Sequence, residues 1–243
     1  MAIIEPYIQI NNLTLQFEIY DQNSQSLKKT IIQNSIGGIF NKKEGKRIII
    51  KSLNNINLQI KSGDRVGLIG NNGSGKSSLL NLISGIYRQT SGNLNVKGSI
   101  VSILDLNHGL DFDATGYENI LLRGILNGHK PSEIKKNLKE IIEFSELGHF
   151  INIPIKNYSM GMILRLAFAS STFYQPQILL LDEWLSVGDQ TFIKKCEKKL
   201  DEMIKSSQIL ILASHDLNLI HRVCNKIVKL EAGSIIEVKS INS

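Results

Sequence analysis

The sequence has 243 residues, of which 42% are hydrophobic and 21% charged, with a formal net charge of +6 at pH 7. This size and balance fit one large soluble α/β domain spanning residues 1–243 and argue against a disordered or fibrous chain. No apolar run approaches the ~18 residues of a membrane span, and the N-terminus lacks the segments of a signal peptide. The two cysteines, Cys196 and Cys224, lack a metal-ligand spacing, which favours free thiols. Because no arginine-rich run accompanies the positive charge, we expect no nucleic-acid partner.

The first predicted elements are strands. Residues 7–20 alternate apolar and polar side chains, and residues 48–60 resume the same alternation. Phe17 and Tyr20 end the first stretch. Either ring could stack on the adenine of a nucleotide, or it could be an ordinary half-buried side chain of the sheet.

An insertion at residues 20–50 separates these two stretches. Its apolar side chains between Leu27 and Phe40 lie near helical spacing, and basic residues follow between Lys42 and Arg47. This pattern predicts an amphipathic helix followed by a basic loop. Such a helix could pack on the protein core, or it could lie at a membrane surface and guide an anionic lipid-linked substrate.

A phosphate-binding motif follows the second strand region. Residues 66–69 are an apolar run that predicts a buried strand, residues 78–84 continue at helical spacing, and G-x-x-x-x-G-K-S lies between them. Its glycines let backbone N–H groups turn toward phosphate oxygens, Lys76 can reach the β- and γ-phosphates, and the Ser77 hydroxyl can bind Mg²⁺. The sequence therefore predicts a nucleoside triphosphate site. The predicted nucleotide-binding residues here are Gly70, Asn71, Asn72, Gly73, Ser74, Gly75, Lys76, Ser77 and Ser78.

The rest of the chain alternates strand and helix patterns. Residues 91–99 predict a hairpin, and residues 100–104 predict another strand. A helical pattern runs from Tyr117 to about Phe150, and a further helix is predicted between Ser159 and Thr172.

Two carboxylates follow the last buried strand of this region, at residues 177–181. Ligands of open α/β sheets bind beyond the C-terminal ends of the strands, which is where Asp182 and Glu183 lie. Asp182 is placed to bind Mg²⁺, and Glu183 is placed to polarise the water that attacks the γ-phosphate.

The order of these motifs closely resembles that of the ABC-type ATPases. The phosphate-binding loop of residues 70–77, called the P-loop below, is the first of these motifs. It is followed along the chain by Tyr158-Ser159-Met160-Gly161-Met162, then Asp182-Glu183, then Ser186-Val187-Gly188-Asp189, then Ser214-His215-Asp216. By this resemblance residues 159–162 take the place of the family signature, whose Ser159 and Gly161 would contact a nucleotide. Residues 186–189 take the place of the D-loop, and His215 that of the catalytic switch histidine.

The resemblance implies an α/β P-loop NTPase fold of the ABC nucleotide-binding type. It includes an antiparallel β subdomain and a helical subdomain at residues 106–160. The chain departs from the family at Met160, where a small residue is usual, and the usual Q-loop glutamine is not evident. Asp105 falls where relatives tend to have an acid, which makes it a third candidate metal ligand beside Ser77 and Asp182.

Further stretches resemble the ATP-binding subunits of bacterial exporters of O-antigen, capsular polysaccharide and teichoic acid. They are residues 141–148, residues 165–169 and residues 187–196. The resemblance implies ATP and Mg²⁺ as cofactors, a homodimer, a separate transmembrane permease and a lipid-linked glycan substrate. It places the chain on the cytoplasmic face of the membrane, attached through the permease, and we expect no added carbohydrate-binding domain.

Other P-loop classes fit the sequence less well. Soluble ABC mechanoenzymes usually carry two ATPase cores or a long coiled coil. A GTPase should show N-K-x-D, but Asn225-Lys226-Ile227-Val228 lacks the acid, and a kinase would leave S-M-G-M unexplained. An ABC importer of a small solute stays open as the alternative, because only the exporter-like stretches argue against it.

Overall fold

The computed structural model describes residues 5–20, 39–44, 47–104, 109–182 and 190–241. The chain divides into two compact units. The first comprises Met1–Ser99, Leu180–Glu183 and Gln208–Ser243, and the second comprises Ile100–Leu179 and Trp184–Ser207.

Ten strands and six α-helices are described along the chain. The first are β1 (Tyr7–Tyr20), β2 (Ile39–Glu44), β3 (Arg47–Lys61), β4 (Arg65–Ile69), α1 (Lys76–Ile83) and β5 (Ser91–Lys97). The next are β6 (Ile100–Ile103), α2 (Gly116–Leu126), α3 (Pro131–Ser145), two 3-10 helices (Gly148–Asn152 and Ile155–Asn157) and α4 (Met160–Thr172). The last are β7 (Ile178–Asp182), α5 (Gln190–Ser206), β8 (Ile209–Ala213), α6 (Leu217–Val223), β9 (Lys226–Glu231) and β10 (Ser234–Ser240).

An antiparallel sheet in the first unit has the strand order β2-β3-β1-β5. Its centre is the pairing of β1 with β3, in which Ile8 lies opposite Ile60 and Ile10 opposite Leu58. All four side chains are buried, as the alternating pattern of both stretches predicts. The two predicted strand regions are therefore confirmed as long paired strands.

The structure corrects two of the predicted elements. Residues 39–44, predicted as a helix end and basic loop, form β2, whose Ile39 pairs with Lys51. The backbone of β3 offers an edge to pair with, and the Gly45-Lys46 connection favours a hairpin. The rest of the predicted amphipathic helix, residues 24–38, lies outside the described residues. Residues 91–97, predicted as a hairpin, form the single strand β5, because β1 offers its other edge to them.

Four strands of a mixed sheet, β4, β8, β9 and β10, also lie in the first unit. Strand β4 lies between β8 and β9 and is parallel to both, while β10 is antiparallel to β9. The residues of β8 are all buried, as are Val66 and Leu68 of β4, which agrees with the apolar runs of buried parallel strands. Strand β7 follows β8 in the sheet and brings Asp182 to its C-terminal end.

The second unit is mainly helical. The helical pattern predicted from Tyr117 to about Phe150 is confirmed, and it is divided into separate helices, since α2 ends at Leu126 and α3 begins at Pro131. Gly128 adopts a φ of 80°, and proline is favoured at the first position of a helix. Helix α4 confirms its prediction, with Ser159 as its N-cap.

Two hydrogen bonds and one aromatic stack fix the helices of the second unit. At the end of α3, Glu146 accepts hydrogen bonds from Arg165 of α4 at 2.6 Å and from Lys195 of α5 at 2.8 Å. After α2, the imidazole of His129 stacks on the Tyr174 ring with centroids 3.6 Å apart. Within the described ranges, no helix is long and apolar enough to cross a bilayer.

Candidate functional site

The loop between β4 and α1 has a backbone that only glycine accommodates. Gly70, Gly73 and Gly75 have φ angles of 151°, 75° and 105°. A Cβ atom at Gly70 would lie 2.3 Å from the Leu230 carbonyl oxygen, and one at Gly75 would lie 2.9 Å from the Ser52 carbonyl oxygen. Glycine is therefore required at both positions by backbone conformation and by close packing.

A cavity of about 300 Å³ opens in front of this loop, within the first unit. It gathers the predicted P-loop residues with Asp182 from the end of β7 and His215 from the loop after β8. The residues that line it are Ser52, Asn72, Gly73, Gly75, Lys76, Ser77, Ser78, Asp182 and His215. The sequence motifs thus converge in space, since β4, β7 and β8 end at the same edge of the mixed sheet.

Lys76 lies at the start of α1 and is the central cation of the cavity wall. Its side chain is buried, with only 7% of the residue exposed. The Nζ atom donates hydrogen bonds to the carbonyl oxygens of Gly70 at 2.7 Å and Asn71 at 3.2 Å. The ammonium group is therefore held over the loop, at a helix N-terminus that favours anions.

The cavity also carries oxygen donors suited to a small hard cation. The Ser77 hydroxyl and the Asp182 carboxylate both line it. Mg²⁺ is usually held by one or two carboxylates together with substrate phosphates. The described residues contain no group of three or more His, Cys, Asp and Glu side chains that could hold a metal ion.

The hairpin of β9 and β10 supports the loop from behind. The Gly233 N–H donates to the Ser74 carbonyl oxygen at 3.1 Å, and the Asn54 N–H donates to the Gly233 carbonyl oxygen at 2.8 Å. A Cβ atom at Gly75 would lie 3.5 Å from the Gly233 Cα atom. The P-loop is therefore clamped between β3 and the β9–β10 turn, which fixes its shape before any ligand binds.

The predicted signature lies at the N-terminus of α4, in the second unit. The Ser159 hydroxyl accepts a hydrogen bond from the Met162 N–H at 3.3 Å, while both Ser159 and Gly161 are exposed. Met160 is 65% exposed, and a Cβ atom at Gly161 would meet only the Ser159 hydroxyl within 4 Å. This helix start therefore presents the small residues Ser159 and Gly161 to solvent, together with the large Met160 side chain.

Several predicted site residues fall outside the ranges that the structure describes. Glu183, Asp105 and residues 186–189 lie outside the part of the chain that the structure describes. Of the two candidate adenine-stacking rings, Phe17 is 37% exposed, and the side chain of Tyr20 lies beyond the described set.

Sequence reasoning missed Ser52 as a residue of the cavity wall. Its hydroxyl donates to the Ser78 hydroxyl at 2.6 Å, which joins β3 to α1 beside the phosphate loop. Its position depends on the packing of β3 against α1, and no local motif marks it.

Known proteins resemble this chain in sequence. The profile of the ABC transporter family matches residues 53–186. The O-antigen export system ATP-binding protein RfbE of Yersinia enterocolitica is 42% identical, over 93% of this chain and 95% of its own length. The teichoic acids export ATP-binding protein TagH of Staphylococcus haemolyticus is 39% identical, over 95% of this chain and 83% of its own.

Solved structures of low sequence identity agree with this fold. A dimeric ATP-binding cassette in a post-hydrolysis state, bound to ADP and Pi, is 22% identical. It superposes with a TM-score of 0.69 over 97% of this chain and 99% of its own. Because the family profile covers more than half of the chain and close relatives cover nearly all of it, the protein belongs to the ABC transporter family.

Proposed function

We propose that this chain is the ATP-hydrolysing subunit of an exporter for a lipid-linked polysaccharide such as O-antigen or teichoic acid. The observation that carries the ATPase part is the cavity in which the P-loop, Asp182 and His215 converge. The export part rests on the relatives, which are named as O-antigen and teichoic acid export ATP-binding proteins.

Phosphate binding is the first step that these residues support. The N–H groups at the start of α1 and the Lys76 ammonium would surround the β- and γ-phosphates. In the ligand-free protein Lys76 donates hydrogen bonds to two carbonyl oxygens of the loop. When a nucleotide binds, phosphate oxygens would take the place of these carbonyl oxygens as acceptors, and the ammonium group would need little movement. This preorganisation lowers the entropy cost of binding.

The residues of the cavity also fit Mg²⁺, through the Ser77 hydroxyl and the Asp182 carboxylate. When bound, the ion would neutralise charge on the phosphate oxygens. Asp105 stays a further candidate ligand from the sequence alone.

Hydrolysis requires a group that orients the attacking water. Glu183 follows Asp182 directly at the end of β7, so we assign it this role. His215 lines the cavity and would contact the γ-phosphate side of the nucleotide. Both assignments place the hydrolysis step at the end of the sheet where Asp182 lies.

Assembly as a homodimer is the next part of the proposal. The chain has one P-loop and one signature, and the exposed helix start at Ser159 and Gly161 is suited to contact a nucleotide held by a second copy. A separate permease would hold the dimer at the cytoplasmic face of the membrane. ATP would close the dimer and hydrolysis would reopen it, which the permease would convert to substrate movement.

Two measurements test the proposal. The Glu183→Gln variant should bind ATP as the wild type does and lose most of its turnover, because only the water-orienting carboxylate changes. Near wild-type turnover would reject Glu183 as the catalytic base.

Deleting the gene should abolish polysaccharide at the cell surface while the lipid-linked precursor accumulates. Restoring the wild-type chain should recover the surface polysaccharide, whereas restoring the Glu183→Gln variant should not. Normal surface polysaccharide after deletion would reject the export function and favour a solute importer.

A further inference from the structure

Two partly exposed aromatic rings meet near the phosphate cavity. The rings of Phe17 in β1 and Tyr87, in the segment after α1, have centroids 5.3 Å apart and planes inclined at 76°. This edge-to-face arrangement is a favoured geometry of aromatic pairs. Phe17 is 37% exposed and Tyr87 36%, so the pair is reachable from solvent.

The strand register places this pair next to the cavity wall. Gln16 pairs with Lys51, the neighbour of Ser52, and Ser52 lines the cavity. Phe17 follows Gln16 directly, and the Gln16 N–H donates to the Thr90 hydroxyl at 2.9 Å. The end of β1 is thereby tied to the segment that carries Tyr87.

The anchoring of Tyr87 continues into the helix behind the phosphate loop. Its N–H donates to the carbonyl oxygen of Asn81 in α1 at 3.1 Å. Helix α1 begins at Lys76, in the cavity itself. The backbone of Tyr87 is therefore hydrogen-bonded to the same helix whose N-terminus would hold the phosphates.

The geometry of the pair leaves a surface for a flat ligand. If the Phe17 edge points at Tyr87, both Phe17 faces stay clear of that ring, and if the Tyr87 edge points at Phe17, one face stays clear. In both cases at least one face of Phe17 stays clear of Tyr87. A purine could stack on that face while Tyr87 holds the Phe17 ring through its edge or its opposite face. A purine is flat and has a π-face of its own, so it fits such a platform.

We propose that Tyr87 is a positioning residue, which holds the Phe17 ring for stacking on the base of ATP and so contributes affinity for the nucleoside over a bare triphosphate. The inference rests on the proposed ATP site. It assigns Tyr87 an indirect role, exerted through Phe17.

Binding of ATP and of inorganic tripolyphosphate, which lacks the base, separates this role from general stability. The Tyr87→Ala variant should weaken ATP binding about three- to tenfold, the range expected for one aromatic pair, and leave tripolyphosphate binding unchanged. Tyr87→Phe keeps the ring and should bind both ligands as the wild type does. Tyr117→Ala is the matched control, because Tyr117 of α2 is also 36% exposed, and it should change neither affinity.

A double variant tests whether Tyr87 acts through Phe17. Phe17→Ala should weaken ATP binding at least as much as Tyr87→Ala, and the double variant should be no weaker than Phe17→Ala alone. The inference is overturned if Tyr87→Ala binds ATP normally, if it weakens tripolyphosphate equally, or if the two effects add. If the wild-type chain binds neither ligand, the proposed phosphate site fails and the inference fails with it.

Discussion

Replacing Lys76 with methionine removes the ammonium group and keeps most of the buried stem. Two carbonyl oxygens, those of Gly70 and Asn71, then lose their donor. A hydrogen bond to a charged group is worth about 1.5–3 kcal/mol, but water in the open cavity can replace much of it. We therefore expect the ligand-free protein to lose about 1–2 kcal/mol of stability, which lowers Tm by about 2–8 °C for a chain of this size.

The same substitution should act more strongly on ATP binding. Losing the charge-assisted contacts to the phosphates should cost about 3 kcal/mol, or about a hundredfold in affinity. At an ATP concentration of about 100 times the wild-type Kd, ATP stabilises the wild type by about 2.7 kcal/mol. The variant, then near its own Kd, should gain only about 0.4 kcal/mol.

Thermal unfolding with and without Mg-ATP measures both effects in one series. Lys139→Met is the control, because the Lys139 side chain on α3 is 87% exposed and should change neither value. Should Lys76→Met keep the full ATP-dependent rise in Tm, the ammonium is not the phosphate ligand. If its ligand-free Tm also equals that of the wild type, the two carbonyl contacts contribute no net stability.

Three further predictions follow from the second unit. Ser159→Arg, in the Glu183→Gln background with ATP, should sediment as a monomer because a bulky cation blocks the signature. An undiminished dimer would contradict the proposed contact between the signature and a nucleotide held by the second copy. The hydrogen bond from Lys195 lowers the pKa of Glu146 below its usual 4.5. The stability that the ionised Glu146 contributes should therefore be lost as pH falls through that lowered pKa. In Glu146→Gln the free energy of unfolding should fall less steeply with acid, by less than about 1 kcal/mol in total. Burial lowers the pKa of His129 below 6.5, against the opposing charge of Glu133. Folding therefore disfavours its protonation, and stability should decline as pH falls below 6.5. His129→Phe should keep the aromatic stack and remove that decline in pH-dependent unfolding curves; an unchanged decline would assign it to another group.

The candidate phosphate site could be predicted because short patterns of neighbouring residues in the sequence mark its residues. A strand, a glycine-rich turn and a helix start are adjacent in sequence around Lys76, and Asp182 ends an apolar strand. The topology of parallel strands then brings such ends together. The structure places Lys76, Asp182 and His215 on the wall of one cavity, and their roles in binding and catalysis stay predictions.

Residues positioned by pairing between distant segments could not be predicted in this way. Ser52 reaches the cavity because of how β3 packs beside α1, and Tyr87 meets Phe17 only once the segment after α1 lies along β1. Short apolar runs such as the one ending at Phe40 fit helical and strand spacing alike. At residues 39–44 a strand forms because β3 offers an edge with which these residues pair. Each of these positions depends on contacts that local spacing does not encode.

The position of β4 between β8 and β9 has a consequence for biosynthesis. A ribosome releases the P-loop early, yet both neighbours of β4 and the turn at Gly233 emerge only after the helical unit has been made. Until then the apolar side chains of Val66 and Leu68 lack the sheet that buries them, and a nascent chain with these exposed segments is a substrate for chaperones. Because His215 and Gly233 both follow the helical unit in the chain, the wall of the cavity and the turn that supports it are complete only late in synthesis.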